Sequence, residues 1–247
     1  MRRVLAIFLK EMEVFLYSPM MYVLWGLFLF LNSWAFLQII SVLNSPSGAV
    51  QIYPVEVFFG GTIFFWITFM VLIPLLTMRT ISEEKRLGSL EMIFTTPISE
   101  WEFVLGKFLA VTFILTMFWA SSLIYPLMIS DQLKLYWPAV AVAFLGTILL
   151  NMALSAIGIL TSSLTANQLV SGFLSFVAIL VVFTIGVFAD YSVGPIRKVL
   201  LYLSLIEQYN PFSSGVIDSR SLVYFISLTV FFLSLTVGLL EARRWKG

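Results

Sequence analysis

Between Lys134 and Asp190 the chain reads LYWPAVAVAFLGTILLNMALSAIGILTSSLTANQLVSGFLSFVAILVVFTIGVFA, residues 135–189, 55 positions without a single charge. As one helix this stretch would run about 80 Å, against roughly 30 Å of bilayer hydrocarbon. It must fold back. The polar run Thr161-Ser162-Ser163-Leu164-Thr165-Ala166-Asn167-Gln168, where helix propensity falls, is the expected break, leaving two spans over 137–160 and 169–189. Shorter charge-free intervals lie between Glu13 and Glu56, Glu56 and Arg79, Lys107 and Asp131, and Arg220 and Glu241. They supply spans over 20–42, 57–78, 108–130 and 221–240, the first followed by an Asn44-Ser45-Pro46-Ser47-Gly48 turn. The fold class is an all-α integral membrane protein with six transmembrane helices in a single domain over 1–247.

Composition agrees. Of 247 residues 60% are hydrophobic and 11% charged, where soluble domains carry about 25% charge. So few charges cannot clothe a water-facing surface, so the exterior faces lipid. A net charge of +1 excludes the clustered excess of Lys and Arg that a nucleic-acid partner requires. With no Cys and no His there is no disulfide, thiolate, Cys/His metal site or imidazole base. A self-contained enzyme is not expected.

Orientation follows the basic residues of the loops. With six spans, Arg2, Arg3, Lys10, Arg79, Lys85, Arg86, Lys107, Arg243, Arg244 and Lys246 share one side, against Lys134, Arg197, Lys198 and Arg220 on the other. Both termini are thus expected in the cytoplasm. A five-span chain would give the same tally, so the length of 135–189 decides the number. Residues 1–19 read as an interfacial amphipathic helix, with Val4, Leu5, Phe8, Met12, Phe15 and Leu16 at helical spacing opposite Arg2, Lys10 and Glu13, and a bend at Pro19. A signal peptide is not expected, because nineteen residues precede the first apolar run and no small-residue cleavage site follows it.

Residues 79–107, RTISEEKRLGSLEMIFTTPISEWEFVLGK, hold nine charges in a chain that otherwise avoids them. A helix over 82–94 is expected, with Leu87, Leu90 and Phe94 as a narrow apolar stripe and Glu83, Glu84, Lys85, Arg86 and Glu91 as its polar face. Gly88 within it suggests close contact with another element. Pro97 ends that helix, and Ser99 with Glu102 has capping-box spacing for a second helix running into the third span, flanked by Ile98 and Phe103. A short amphipathic helix tied to two spans suits a mechanical input from a soluble partner. A solvated hairpin with no partner explains the composition equally well.

These residues resemble the signature of ABC-2-type transporter permeases. The resemblance lies in Arg79, Glu84-Lys85, Gly88-Ser89-Leu90-Glu91, Phe94-Thr95-Thr96-Pro97-Ile98-Ser99 and Gly106-Lys107, with Ser89 for the commoner Thr and Phe94 for a commoner Leu. Ile73-Pro74-Leu75-Leu76-Thr77-Met78-Arg79 and Gly215-Val216-Ile217-Asp218-Ser219-Arg220 are similar to the gliding-motility-type branch, although Glu207 stands where that branch has His. The resemblance implies a type V exporter-like architecture in a bacterial inner membrane, with a cytoplasmic coupling helix in 79–107 and short helices outside in 190–220. It implies ATPase coupling through Arg79, Glu83, Glu84, Arg86, Leu87, Gly88, Leu90, Glu91, Phe94 and Pro97, with Leu87 and Phe94 as apolar anchors. It also implies an ABC ATPase subunit and a second permease copy or related membrane subunit as partners.

No GxxxxGK[ST] phosphate loop occurs, so ATP and Mg are expected on the partner, and no catalytic, cofactor or metal residue is assigned to this chain. Membrane lipid is a further expected contact, and nucleic acid is not. An ion-coupled carrier would place ionisable groups in its spans, and 20–42 to 221–240 hold none; Asn32, Gln38, Thr68, Asn151 and Asn167-Gln168 are their polar candidates. Val199–Ile206, between Gly194-Pro195 and Asn210-Pro211, reads as a short interfacial or re-entrant helix. ATP-driven export is the favoured function. The alternative is a non-transport role that transmits ATP-driven motion to extracytoplasmic partners. Glu84→Lys and Leu87→Asp are both expected to uncouple hydrolysis without unfolding, as residues of a water-facing loop.

Overall fold

A computed structural model describes residues 2–43, 54–90, 98–130 and 135–244. The 44–48 turn and Glu91, Phe94 and Pro97 lie outside the described residues. Six helices are long and apolar enough to cross a membrane: Pro19–Ser41, Ile63–Arg86, Glu100–Met128, Trp137–Leu164, Gln168–Ala189 and Ser219–Arg244. They are called spans one to six. No strand occurs among the described residues. The fold-back of 135–189 is confirmed, and its break is narrower than expected. Span four runs on through Leu164, and only Thr165, Ala166 and Asn167 are non-helical. Asn167 then caps span five, its side-chain oxygen accepting from Leu169 N–H at 3.0 Å.

The N-terminal helix spans Arg2–Tyr17, and Ser18 separates it from Pro19 at the first position of the next helix. Span two starts later than residue 57. Val57–Gly61 forms a π-helical turn, Thr62 is extended, and the regular helix begins at Ile63. That turn is shaped by tertiary contact, since Trp66 Nε1 donates to Gly60 O at 2.8 Å and Phe59 is fully buried.

Spans two, three and four form the interior, while only 22% of the fifth span is buried. The main core is aromatic. Trp119 of span three lies 5.2 Å from Phe28 of span one and 5.0 Å from both Phe65 and Phe69 of span two, measured between ring centroids. These edge-on, tilted and stacked pairs bind three helices through large buried rings.

The 190–220 segment contains two helices rather than one over 199–206. Pro195–Leu203 buries nothing, as an interfacial helix would, whereas Leu205–Ser213 inserts into the bundle with Leu205, Tyr209 and Phe212 fully buried. They part at Ser204, whose hydroxyl accepts from Glu207 N–H at 3.3 Å and caps the second helix. The Tyr209 hydroxyl meets Thr147 Oγ1 at 3.1 Å, which satisfies its polar end inside span four's surroundings.

At the opposite end of the bundle a second apolar cluster joins Ile81 and Leu90 to Phe103, Val104 and Phe108 of span three, Ile159 of span four, and Leu233, Val237 and Leu240 of span six.

Candidate functional site

The charged segment that follows span two is where the structure departs most from a loop in water. Its helix is interrupted: Ser82–Arg86 is helical, Leu87 and Gly88 form a turn, and Ser89 and Leu90 are helical again. The chain leaves it at Gly88, whose φ is +70°, a left-handed conformation that residues with a Cβ adopt at a cost. A Cβ at Gly88 would meet nothing within 4 Å, so backbone conformation and not close contact is its reason for being there.

Three other elements hold this turn. The hydroxyl of Ser162, near the end of span four, accepts from Ile81 N–H at 3.0 Å and Ser82 N–H at 3.1 Å, satisfying amide groups that the helix start leaves open. The Lys85 ammonium donates to the Ser163 carbonyl. The polar run 161–163 is therefore a dock for the 78–90 segment rather than the bend between two spans. Leu90 and Ile81 are both buried in the second apolar cluster, which removes Leu90 from any surface stripe.

Lys107 makes the deepest tie. It is 2% exposed, and its ammonium lies 2.6 Å from Glu11 Oε1 of the N-terminal helix and 3.0 Å from Glu84 Oε1. Lys10 approaches the same Glu84 oxygen at 3.9 Å. Two carboxylates around one buried ammonium link the N-terminal helix, the 82–86 turn and the start of the third-span helix. Beside Lys107, Gly106 permits the crossing, since a Cβ there would lie 2.7 Å from Ile7 Cβ and 3.2 Å from Val4 O. The Gly106-Lys107 pair thus unites two functions at adjacent positions, close approach and charge.

Sequence reasoning placed Lys107 just ahead of the third span and Glu84 on a solvated face. The helix capped by Ser99 does carry Lys107 toward that span, as expected, but the side chains of Lys107 and Glu84 are both largely buried. The amphipathic assignment of the N-terminal helix missed Glu11, which is buried with Met12, while Leu5 and Leu16 are exposed on the outer side. A signal existed: Glu11 falls on the same helical face as Val4, Ile7 and Phe8, an acid in an apolar stripe that needs a partner.

The Ser99 capping box is formed as expected, with Glu102 N–H to Ser99 Oγ at 3.2 Å and Ser99 N–H to Glu102 Oε2 at 3.1 Å. The acids of that first turn also pair outward: Glu100 with Arg244 at 2.7 Å and Glu102 with Arg3 at 3.6 Å. Both ends of the chain therefore approach the start of the third-span helix.

Among the described residues of this segment, what remains on the surface is narrow. Arg86, Leu87 and Gly88 are exposed, with Leu87 at 67%, and Glu83 pairs with Arg86 at 3.7 Å. Arg79 is also exposed. Of the sequence-predicted residues, then, Arg79, Arg86, Leu87 and Gly88 face outward, Glu83 lies half-buried beside them, and Glu84 and Leu90 turn inward. Among the polar candidates of the spans, Asn32 and Thr68 bond back to their own helices, to Phe28 O and Phe64 O at 2.9 and 2.7 Å, and Asn151 is buried with no hydrogen-bond partner. Among the described residues no group of acids is placed to hold a metal ion.

A family model described as ABC-2 family transporter protein matches residues 5–240, from the N-terminal helix into span six. No curated protein matches the chain.

Proposed function

The chain belongs to the ABC-2 family of transporter proteins, and on that premise we propose that it is a permease driven by a separate ATPase subunit that docks on the Arg86-Leu87-Gly88 tip. The observation that carries this reading is the contrast at that tip. Leu87 is 67% exposed on a turn whose neighbours are anchored to span four, the N-terminal helix and the third-span helix. An apolar side chain offered to the outside on a rigidly held turn is suited to anchor a partner, and a push there is delivered to all three elements together. ATP and Mg belong to that partner, whose closure would displace the turn and the ends of spans two, three and four with it.

Both termini then face the cytoplasm of a bacterial inner membrane, as the ten-to-four distribution of basic residues supports. Export is the direction that goes with the type V-like arrangement. A second copy or related subunit completes the pathway, and the little-buried fifth span supplies apolar surface for such a neighbour or for lipid.

The test uses the complex with its ATPase subunit in native membranes. Leu87→Asp is expected to lower permease-stimulated ATP hydrolysis and co-purification of the ATPase at least tenfold, with an unchanged melting temperature, because the side chain touches little of its own chain. Full stimulation in that variant overturns the docking assignment. Glu84→Lys no longer serves as a clean companion, since it would set a cation against buried Lys107.

A further inference from the structure

We propose that the cleft between the N-terminal helix and the 79–89 segment is a binding site for one phospholipid molecule of the adjoining leaflet, with its phosphate on Arg79 and an acyl chain between spans one and two. Leu87 also borders this cleft, so the site adjoins the proposed docking tip, and the two are told apart by their readouts, lipid bound against ATPase retained.

Two adjoining cavities carry the proposal. The larger, of about 240 Å³, lies between the N-terminal helix and the 79–89 segment and is bordered by Lys10, Glu84 and Arg79. The smaller, of about 30 Å³, is bordered by Leu24 of span one and by Leu75 and Leu76 of span two. Phe15, Ser18 and Arg79 border both, so a chamber with charged side chains in its largely apolar wall adjoins an apolar crevice between two membrane-crossing helices. A soluble partner's side chain would fill the chamber but would not follow it between the spans. A lipid has this shape: a charged head and a narrow apolar tail.

The charges select the head. Lys107 is shared by Glu11 and Glu84, Lys10 adds a positive charge near Glu84, and Glu83 is paired with Arg86. Arg79 is left, among the described residues, with no acid at ion-pair distance, and it stands where the chamber meets the crevice. A phosphodiester there gains a charge-assisted, planar two-pronged contact.

The experiment titrates delipidated full-length protein in detergent, by native mass spectrometry, with short-chain phosphatidylglycerol, the diacylglycerol of the same chains, and glycerol phosphate. One phosphatidylglycerol per chain is expected, with the other two at least about tenfold weaker because each lacks half of the contacts. Arg79→Gln and Leu75→Trp are each expected to weaken the phospholipid about tenfold, by loss of the charge and by filling of the crevice, whereas Val230→Trp on the outer face of span six leaves it unchanged. Arg79 is exposed, so its variant folds and keeps the test open if Leu75→Trp does not. Equal binding by all variants means non-specific annular lipid and overturns the proposal. So does unchanged lipid binding combined with loss of the ATPase subunit from Arg79→Gln, which would make the chamber a protein contact. Loss of lipid with the ATPase retained upholds it, independently of how the Leu87 tip performs.

Discussion

Lys107 shows how much one residue decides. A buried ammonium is tolerable only when its charge is met, and here two acids from different elements meet it at 2.6 and 3.0 Å. Lys107→Met removes the cation and leaves Glu11 and Glu84 facing each other. A loss of about 3–5 kcal/mol is expected, read as a lowered melting temperature in detergent. Adding Glu11→Gln and Glu84→Gln to Lys107→Met removes the stranded charges, and most of the melting temperature should return. If the triple variant is no more stable than Lys107→Met alone, the acids are not the cause. The ion pairs of Arg3 and Arg244 with Glu102 and Glu100 are more exposed and contribute little by comparison.

Among the elements, the N-terminal helix and the third-span helix form a unit because Gly106 lets them touch. Gly106→Ala places a methyl only 2.7 Å from both Cβ and Cγ2 of Ile7 and lifts the helix from its seat. Because Glu11 rides on that helix, its contact with Lys107 is strained in the same movement. We expect Gly106→Ala to make residues 2–17 more accessible to proteolysis and amide exchange, and Ile7→Ala in the same chain to restore protection partly. Unchanged exchange would show that the crossing has slack. The 82–86 turn behaves differently. Gly88→Ala meets no neighbour but a strained φ, so it should cost about 1 kcal/mol and tilt Leu87, lowering ATPase stimulation more than stability.

At the level of the whole molecule, six crossings return the chain to the side on which it began. The absence of native cysteine makes this directly measurable, since single cysteines introduced in the intact chain report on nothing else. Cysteines at Arg3, Leu87 and Glu241 are expected to react with an impermeant maleimide from one side of the membrane, and one at Val193 from the other. Labelling of positions 87 and 241 from opposite sides would support five crossings. The inserted Leu205–Ser213 helix, with Tyr209 fully buried against spans two and four, closes the far end of the bundle. Any pathway through this chain's own interior would have to displace it.

The number of the spans was legible in the sequence because charge is excluded from hydrocarbon, and 55 uncharged residues exceed any bilayer. The cap at Ser99 and the bend at Pro19 were legible for a similar reason: they rest on contacts within four residues. Glu11, Glu84 and Ser162 were not legible, because each is defined by a partner on a different element, far outside the reach of a local motif. The same holds for Gly88, read as a contact and found to be a turn, and for the 161–163 run, read as a bend and found to be a dock. Local sequence determined which segments cross the membrane. Only the tertiary structure decided which charges are buried together and which surface stays free, because pairing a buried charge is a matter of what lies across the helix interface.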